Sequence, residues 1–487
     1  MSKNTQNSEI EGLYVYGSGE MDQLSPIKED EKNEDIFETK VPLKMPLHFI
    51  SPQEKIKLIK CGQMFTIILS TEGNVYTFGC ADNGGIGHED SVPAKRVDIK
   101  FRPTGISGGD CHGLAYNEYN LAFWGQFRNS QGGIGEPCLS PKYYTINDIQ
   151  YEHFKKVISG TNHVIILSKE KNIYAIGNKE FGQRGMDPKE NIDHLEINKI
   201  NEYNVEDIYT GDEHSFLMKY EKNIQVIKSW GLNNRGQLGI GSSPSGKDDD
   251  SDAVNNNNIY TPTKVKFPVD VKIKKITGGN GNSICITEDN RVFIWGNNDD
   301  NLLGLNDDEI IINSPKELVF FNKYTNPNNE VEEIIANFQS FYALNKTNNK
   351  VYSWGSGDNY ILGNKKEKSE KKPYLIDSKF FKNLRVTDLD MGCAHVAVVL
   401  TKDENLYDVE KRNNDINISI GKTVIQNVPK PRKRKNDDFP DDNDNENKIN
   451  DKDDNSGIVK TFGIRNDFIT LNVKDRPKTK AKIILNK

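Results

Sequence analysis

Between Gly278 and Gly296 the chain reads GGNGNSICITEDNRVFIWG. Two apolar runs, Ile284-Cys285-Ile286 and Val292-Phe293-Ile294-Trp295, flank the polar stretch TEDNR. Short apolar runs joined by a turn rich in Asn and Asp predict an antiparallel hairpin. A glycine-rich turn opens this unit and an aromatic followed by glycine closes it.

Both ends recur. All four tryptophans, Trp124, Trp230, Trp295 and Trp354, precede a glycine, and Tyr16-Gly17, Phe78-Gly79 and Ile176-Gly177 have the same form. The seven glycines lie 62, 46, 52, 54, 65 and 59 residues apart. Periods of that size fit a four-stranded propeller blade with its loops. The opening element, a glycine, two variable residues and a His or substitute before an apolar strand, recurs as CGQMFTIIL, GGDCHGLAY, SGTNHVIIL, TGDEHSFLM, GGNGNSICI and a degraded ANFQSFYAL. The phase predicts how the ring ends. LYVYG, Leu13 to Gly17, has no opening element before it, and GCAHVAVVL, Gly392 to Leu400, has no aromatic-glycine strand after it. Each supplies what the other lacks, so the expected fold is all-β: a seven-bladed β-propeller over residues 12–402, closed by its N-terminal strand and without a free sheet edge.

The rest of the chain carries less. Residues 1–11 are expected to be flexible, 242–258 (SSPSGKDDDSDAVNNNN) to form a low-complexity loop, and 403–487 to form a mostly disordered charged tail. Within that tail KPRKRK places Lys430, Arg432, Lys433, Arg434 and Lys435 together, which suits a nuclear import signal read by an importin or a contact with DNA phosphate. The net charge of −7 gives no global attraction to nucleic acid or membrane. No run approaches the length needed to span a bilayer, so a soluble, intracellular protein is expected. The six cysteines lack CxxC spacing and read as structural thiols; no metal ligands or cofactor are expected.

One turn breaks the repeat. Where other blades follow the aromatic-glycine pair with sequences such as LNNRGQLG, FWGQFRNSQGGIG (Phe123 to Gly135) inserts Phe127, Arg128, Asn129, Ser130 and Gln131 as a longer loop. A functional loop held by a rigid ring and a neutral insertion are both consistent with periodicity alone. Asp110 and the pair Asp212 and Glu213 sit beside blade mouths and would give a negative face for a basic partner. His112, His163 and His214, at one position per blade, are expected to repeat one local hydrogen bond.

The paired elements, their period and their split closure resemble the regulator of chromosome condensation family of seven-bladed propellers. FGCADNGGIGHED, Phe78 to Asp90, is similar to the second-blade signature of members that exchange nucleotide on the small GTPase Ran, and YGSGEMDQL, Tyr16 to Leu24, to the first repeat of fungal members. The resemblance implies that the loop Phe127 to Gln131 is a wedge which, with Asp110, drives exchange on a Ran-type GTPase without covalent chemistry. It implies a nuclear protein supporting nucleocytoplasmic transport, with chromatin as a further partner. On the partner-binding face it puts Asn162, Asp212, Glu213, Asn282 and His395. Asn162 stands where those factors carry aspartate, and Gly281 and Asn282 where they carry a His pair. The loop MDPKENIDHLE, Met186 to Glu196, is acidic where the family carries a basic chromatin-docking loop. A non-catalytic scaffold of the same fold is the rival expectation.

Overall fold

The computed structural model describes residues 11–24, 38–47, 50–51, 53–88, 94–186, 193–241, 257–402, 459–464, 467–472 and 482–485. In the unit Met1–Lys411, seven four-stranded antiparallel sheets follow one another as blades. The opening stretch forms the middle of the fifth, where Asn282–Thr287 pairs with Val292–Asn297 in the register Ser283 to Trp295 and Cys285 to Phe293. Every residue of these two strands is buried. A blade is covered on both faces by its neighbours, so its middle strands read as continuous apolar runs instead of alternating.

Tertiary packing explains both halves of the repeat. The tryptophans are fully buried, and the indole N–H of Trp124, Trp230 and Trp295 donates to a carbonyl in the preceding blade, Gly85 (2.9 Å), Gln183 (2.9 Å) and Gln237 (2.8 Å). The glycine that follows is needed for close approach. At Gly296, with φ +109°, a Cβ would sit 2.3 Å from the carbonyl oxygen of Gly281. Backbone hydrogen bonds link the opening elements of neighbouring blades around one end of the central channel. Gln63 donates to Gly109 O (3.0 Å), Asp110 to Thr161 O (2.8 Å), Thr161 to Asp212 O (2.9 Å), Asn280 to Phe338 O (2.9 Å) and Cys393 to Gln63 O (2.9 Å).

The seventh blade is shared between the chain ends in order Glu38–Lys44, Gly12–Ser18, His395–Thr401, Arg385–Met391. Two N-terminal strands therefore complete it, where the sequence revealed only the first. Glu38–Lys44 (ETKVPLK) is an outer strand with mostly exposed side chains, and so lacks the apolar pattern that marks the inner ones.

Blade-lining strands put charges of opposite sign on adjacent blades. Lys60 faces Asp390 (3.3 Å) and Lys275 faces Glu333 (3.3 Å) in a channel of about 360 Å³, which Lys156, paired with Asp207 (2.7 Å), also lines. The second blade contributes the uncharged Ser107 instead.

Part of the sequence-based picture changes. Asn258 begins a strand, Asn258–Lys264, and 242–256 lie outside the described residues. In the separate unit Arg412–Lys487, Val459–Ile464, Asp467–Asn472 and Lys482–Leu485 pair as a three-stranded antiparallel sheet. Residues 1–10 and the basic segment 430–435 lie outside the described residues. No described helix is long and apolar enough to cross a membrane.

A candidate partner-docking face

The stretch that breaks the repeat, expected as a longer loop, is a β-hairpin. Asn120–Asn129 pairs with Gly132–Thr145 in the register Asn129 to Gly132, Arg128 to Gly133 and Phe127 to Ile134, leaving Ser130 and Gln131 as the two-residue tip. The ladder is irregular between Ile134 and Cys138, below which the blade resumes with Cys138 opposite Gly125. The hairpin stands on the same end of the channel as the opening elements.

Its base is apolar. Phe127 is 0% exposed, with its ring 4.8 Å from that of Phe123 and 4.7 Å from that of His112. Phe127, expected as part of the wedge contact, is therefore a core residue on which the hairpin rests. Its neighbour points outward because side chains alternate along a strand. Arg128 is exposed, its guanidinium 3.4 Å from the Asp110 carboxylate.

The next blade grips the hairpin. The backbone N–H of Arg128 donates to Asn162 Oδ1 at 2.8 Å. The backbone N–H of Ser130 donates to Glu180 at 2.9 Å, and the Ser130 hydroxyl donates to the other oxygen of that carboxylate. Asn129 Oδ1 accepts from Gln131 N (2.9 Å), which tightens the tip. Asn162, placed on the partner-binding face by resemblance, is 7% exposed and spends its acceptor on the hairpin. Sequence reasoning missed Glu180. The signal was an acid in the turn NKEFGQRG at the place where LNNRGQLG has an asparagine.

Two more expected contact residues turn inward. His395 is 0% exposed, with Nε2 paired to the Thr66 hydroxyl of the next blade at 3.0 Å. His163 and His214 make the same bond, to Ser215 (2.7 Å) and Ser283 (2.8 Å). The repeated histidine thus bolts blade to blade, through a side-chain hydroxyl. His112 departs from the set because Val164 stands where its neighbour would supply the hydroxyl, and its ring stacks on Phe123 instead. Burial pushes these imidazoles down, to about 3 for His112, His163 and His214 and about 4 for His395, so they are neutral near pH 7. Asn282 is 1% exposed and donates through Nδ2 to Phe338 O at 2.8 Å.

The carboxylates do converge. Asp110, Asp212 and Glu213 line one depression of about 270 Å³ at the channel mouth, with Gln63, Met64 and Phe338. Gln183 Nε2 donates to Glu213 at 2.8 Å. Burial raises the Asp212 carboxyl to about 7, with Asp110 adding to the rise. It raises Glu213 to about 8, with Asp212 adding. Both side chains keep partial exposure at the mouth, which moderates the shifts without reversing them. Raised native pKa values mean that the folded state binds more protons than the unfolded one between about pH 4 and 8, so stability falls as pH rises through that window. Asp212→Asn is accordingly expected to melt above the wild type at pH 8, with the gap closing towards pH 4; a gap independent of pH would contradict the assignment.

A closed seven-bladed ring thus carries a braced hairpin beside an acidic mouth, the architecture of a β-propeller with one elaborated face. The RCC1-like domain family matches residues 12–436, and the chain belongs to that family. The regulator of chromosome condensation of Homo sapiens is 24% identical over 432 residues, covering 83% of this chain and 94% of that one. The guanine nucleotide exchange factor SRM1 of Saccharomyces cerevisiae is 23% identical over 409 residues, covering 72% and 79%. The crystal structure of Prp20p from the same yeast, described with its binding properties to Gsp1p and histones, superposes with a TM-score of 0.70 at 22% identity over 84% of this chain and 95% of that one.

Proposed function

We propose that this protein is a guanine-nucleotide exchange factor for a Ran-type small GTPase. The observation that carries the reading is the hairpin Arg128 to Gly133, which leaves the ring at the second blade and is braced by Asn162 and Glu180 beside the Asp110 carboxylate. A braced projection loses little conformational freedom when it enters a partner. The action is linkage. A propeller that binds the nucleotide-free GTPase more tightly than the loaded form weakens nucleotide binding by the same factor, whichever nucleotide is present. Arg128, Asn129, Ser130 and Gln131 would reach the partner, and the carboxylates at the mouth would meet basic groups on its surface. The printed name of the human relative, regulator of chromosome condensation, supports chromosome-associated work, and the reading extends to a nuclear protein serving nucleocytoplasmic transport. Lys430 to Lys435 would serve importin recognition, and any chromatin contact would draw on that run or on the lysines of the final residues.

The test is release of a fluorescent guanine nucleotide from a Ran-type GTPase with catalytic amounts of this protein. Release accelerated by orders of magnitude is the expected result. Binding without acceleration would make the chain a scaffold, and the exchange reading would be wrong.

A further inference from the structure

At the junction of the fifth and sixth blades the repeat has been rebuilt. Six blades open with a glycine, and the sixth opens with Asn337 followed by Phe338. Phe338 occupies the mouth position filled elsewhere by Gln63, Asp110, Thr161, Asp212, Asn280 and Cys393. It is a bulky residue with φ +48°, in the left-handed region, and it is 43% exposed. That conformation is disfavoured for a side chain of this size and persists only where surrounding contacts impose it.

The fifth blade imposes it in three ways. Asn280 N–H donates to Phe338 O at 2.9 Å, Asn282 Nδ2 donates to the same oxygen at 2.8 Å, and Gly279 leaves room for the turn. A Cβ on Gly279 would lie 2.2 Å from Phe338 O. Asn282, one of the chain's departures from the family pattern, therefore holds an aromatic in place at the mouth. The depression it lines combines the carboxylates of Asp110, Asp212 and Glu213 with the apolar side chains of Phe338, Met64 and Leu232.

Resting on the exchange reading, we infer that Phe338 is an anchor and specificity-determining residue for the GTPase, receiving one long basic side chain of that partner. An Arg or Lys placed there lays its methylenes and charge against the ring and ends at the carboxylates. A fixed exposed aromatic at the centre of a docking face has the character of an interface hot spot.

The experiment measures affinity for nucleotide-free Ran-type GTPase, exchange rate and melting temperature for the wild type, Phe338→Asn and Phe338→Tyr. Asn suits a left-handed backbone, so Phe338→Asn should melt no lower than the wild type and bind at least tenfold more weakly; Phe338→Tyr should bind nearly normally. Wild-type affinity in Phe338→Asn, beside an active wild type, would overturn the anchor and leave the exchange reading intact. Equal losses in the Asn and Tyr variants would also overturn it, since an aromatic would then not be what matters. If the wild type neither bound nor accelerated release, both readings would fall together. In a double-mutant cycle with Asp212→Asn, non-additive losses would support one shared basic side chain, and additive losses would reject it.

Discussion

Joining Phe127 to Ile134 through Asn-Gly, in place of residues 128–133, should return nucleotide release to its spontaneous rate while the ring melts close to the wild-type temperature. Phe127 and Ile134 already face each other across the hairpin, and Asn-Gly is the turn that best joins two such strands. The residues removed are the projection itself. They make no core contact, whereas Asn162 and Glu180 are left on the surface of a neighbouring blade that keeps its own strands. Phe127→Ala should behave in the opposite way. It empties a fully buried site between Phe123 and His112 and should cost about 3–5 kcal/mol of stability, measurable by denaturant unfolding. Exchange by the shortened hairpin at the wild-type rate would remove the hairpin from the mechanism. A melting temperature unchanged in Phe127→Ala would show that the ring does not rest on that side chain.

The second large effect is expected at the seam where the chain ends meet. Asp390 of the last blade accepts from the backbone N–H of Cys61 (3.0 Å) and from Lys60 Nζ (3.3 Å), and Asp388 accepts from the Ile59 N–H (3.1 Å). Carboxylates thus tie the inner strand of the seventh blade to that of the first. Lys60 keeps 36% of its side-chain exposure, so channel water screens the ion pair, and the bond from the buried backbone is the larger contribution. Asp390→Ala should destabilise the ring by about 1.5–3 kcal/mol, the range for a hydrogen bond to a charged group. Asp390→Asn, which retains an acceptor oxygen, should recover most of the loss. A neutral alanine variant would mean that the two N-terminal strands of the shared blade hold the seam without these carboxylates.

The ring was legible in the sequence because its causes are local and repeated. The residue-glycine pair that closes each repeat signals its packing: the indoles of Trp124, Trp230 and Trp295 reach a carbonyl of the previous blade, and the glycine makes way for its own turn. Seven repetitions turn a weak signal into a count, and the unmatched halves at Tyr16 and His395 show how the circle closes. The outer strand Glu38–Lys44 was not legible, since an exposed edge leaves no apolar pattern to read. The carboxylates of the mouth were also visible, because acids in a tight turn at a channel rim have few ways to point.

What the sequence alone determined is therefore the architecture, the interrupted blade and the acidic face. Only the tertiary structure decided which way each side chain turned. Phe127 and Arg128 are neighbours that a strand sends to opposite sides, one into the core and one to the Asp110 carboxylate. His395 and Asn282 look like surface groups by motif and prove to be bolts, because their partners, Thr66 and Phe338, lie 329 and 56 residues away and meet them only when the ring has closed. Direction within a strand follows from register, and register between blades follows from the whole circle; neither is written in any one repeat.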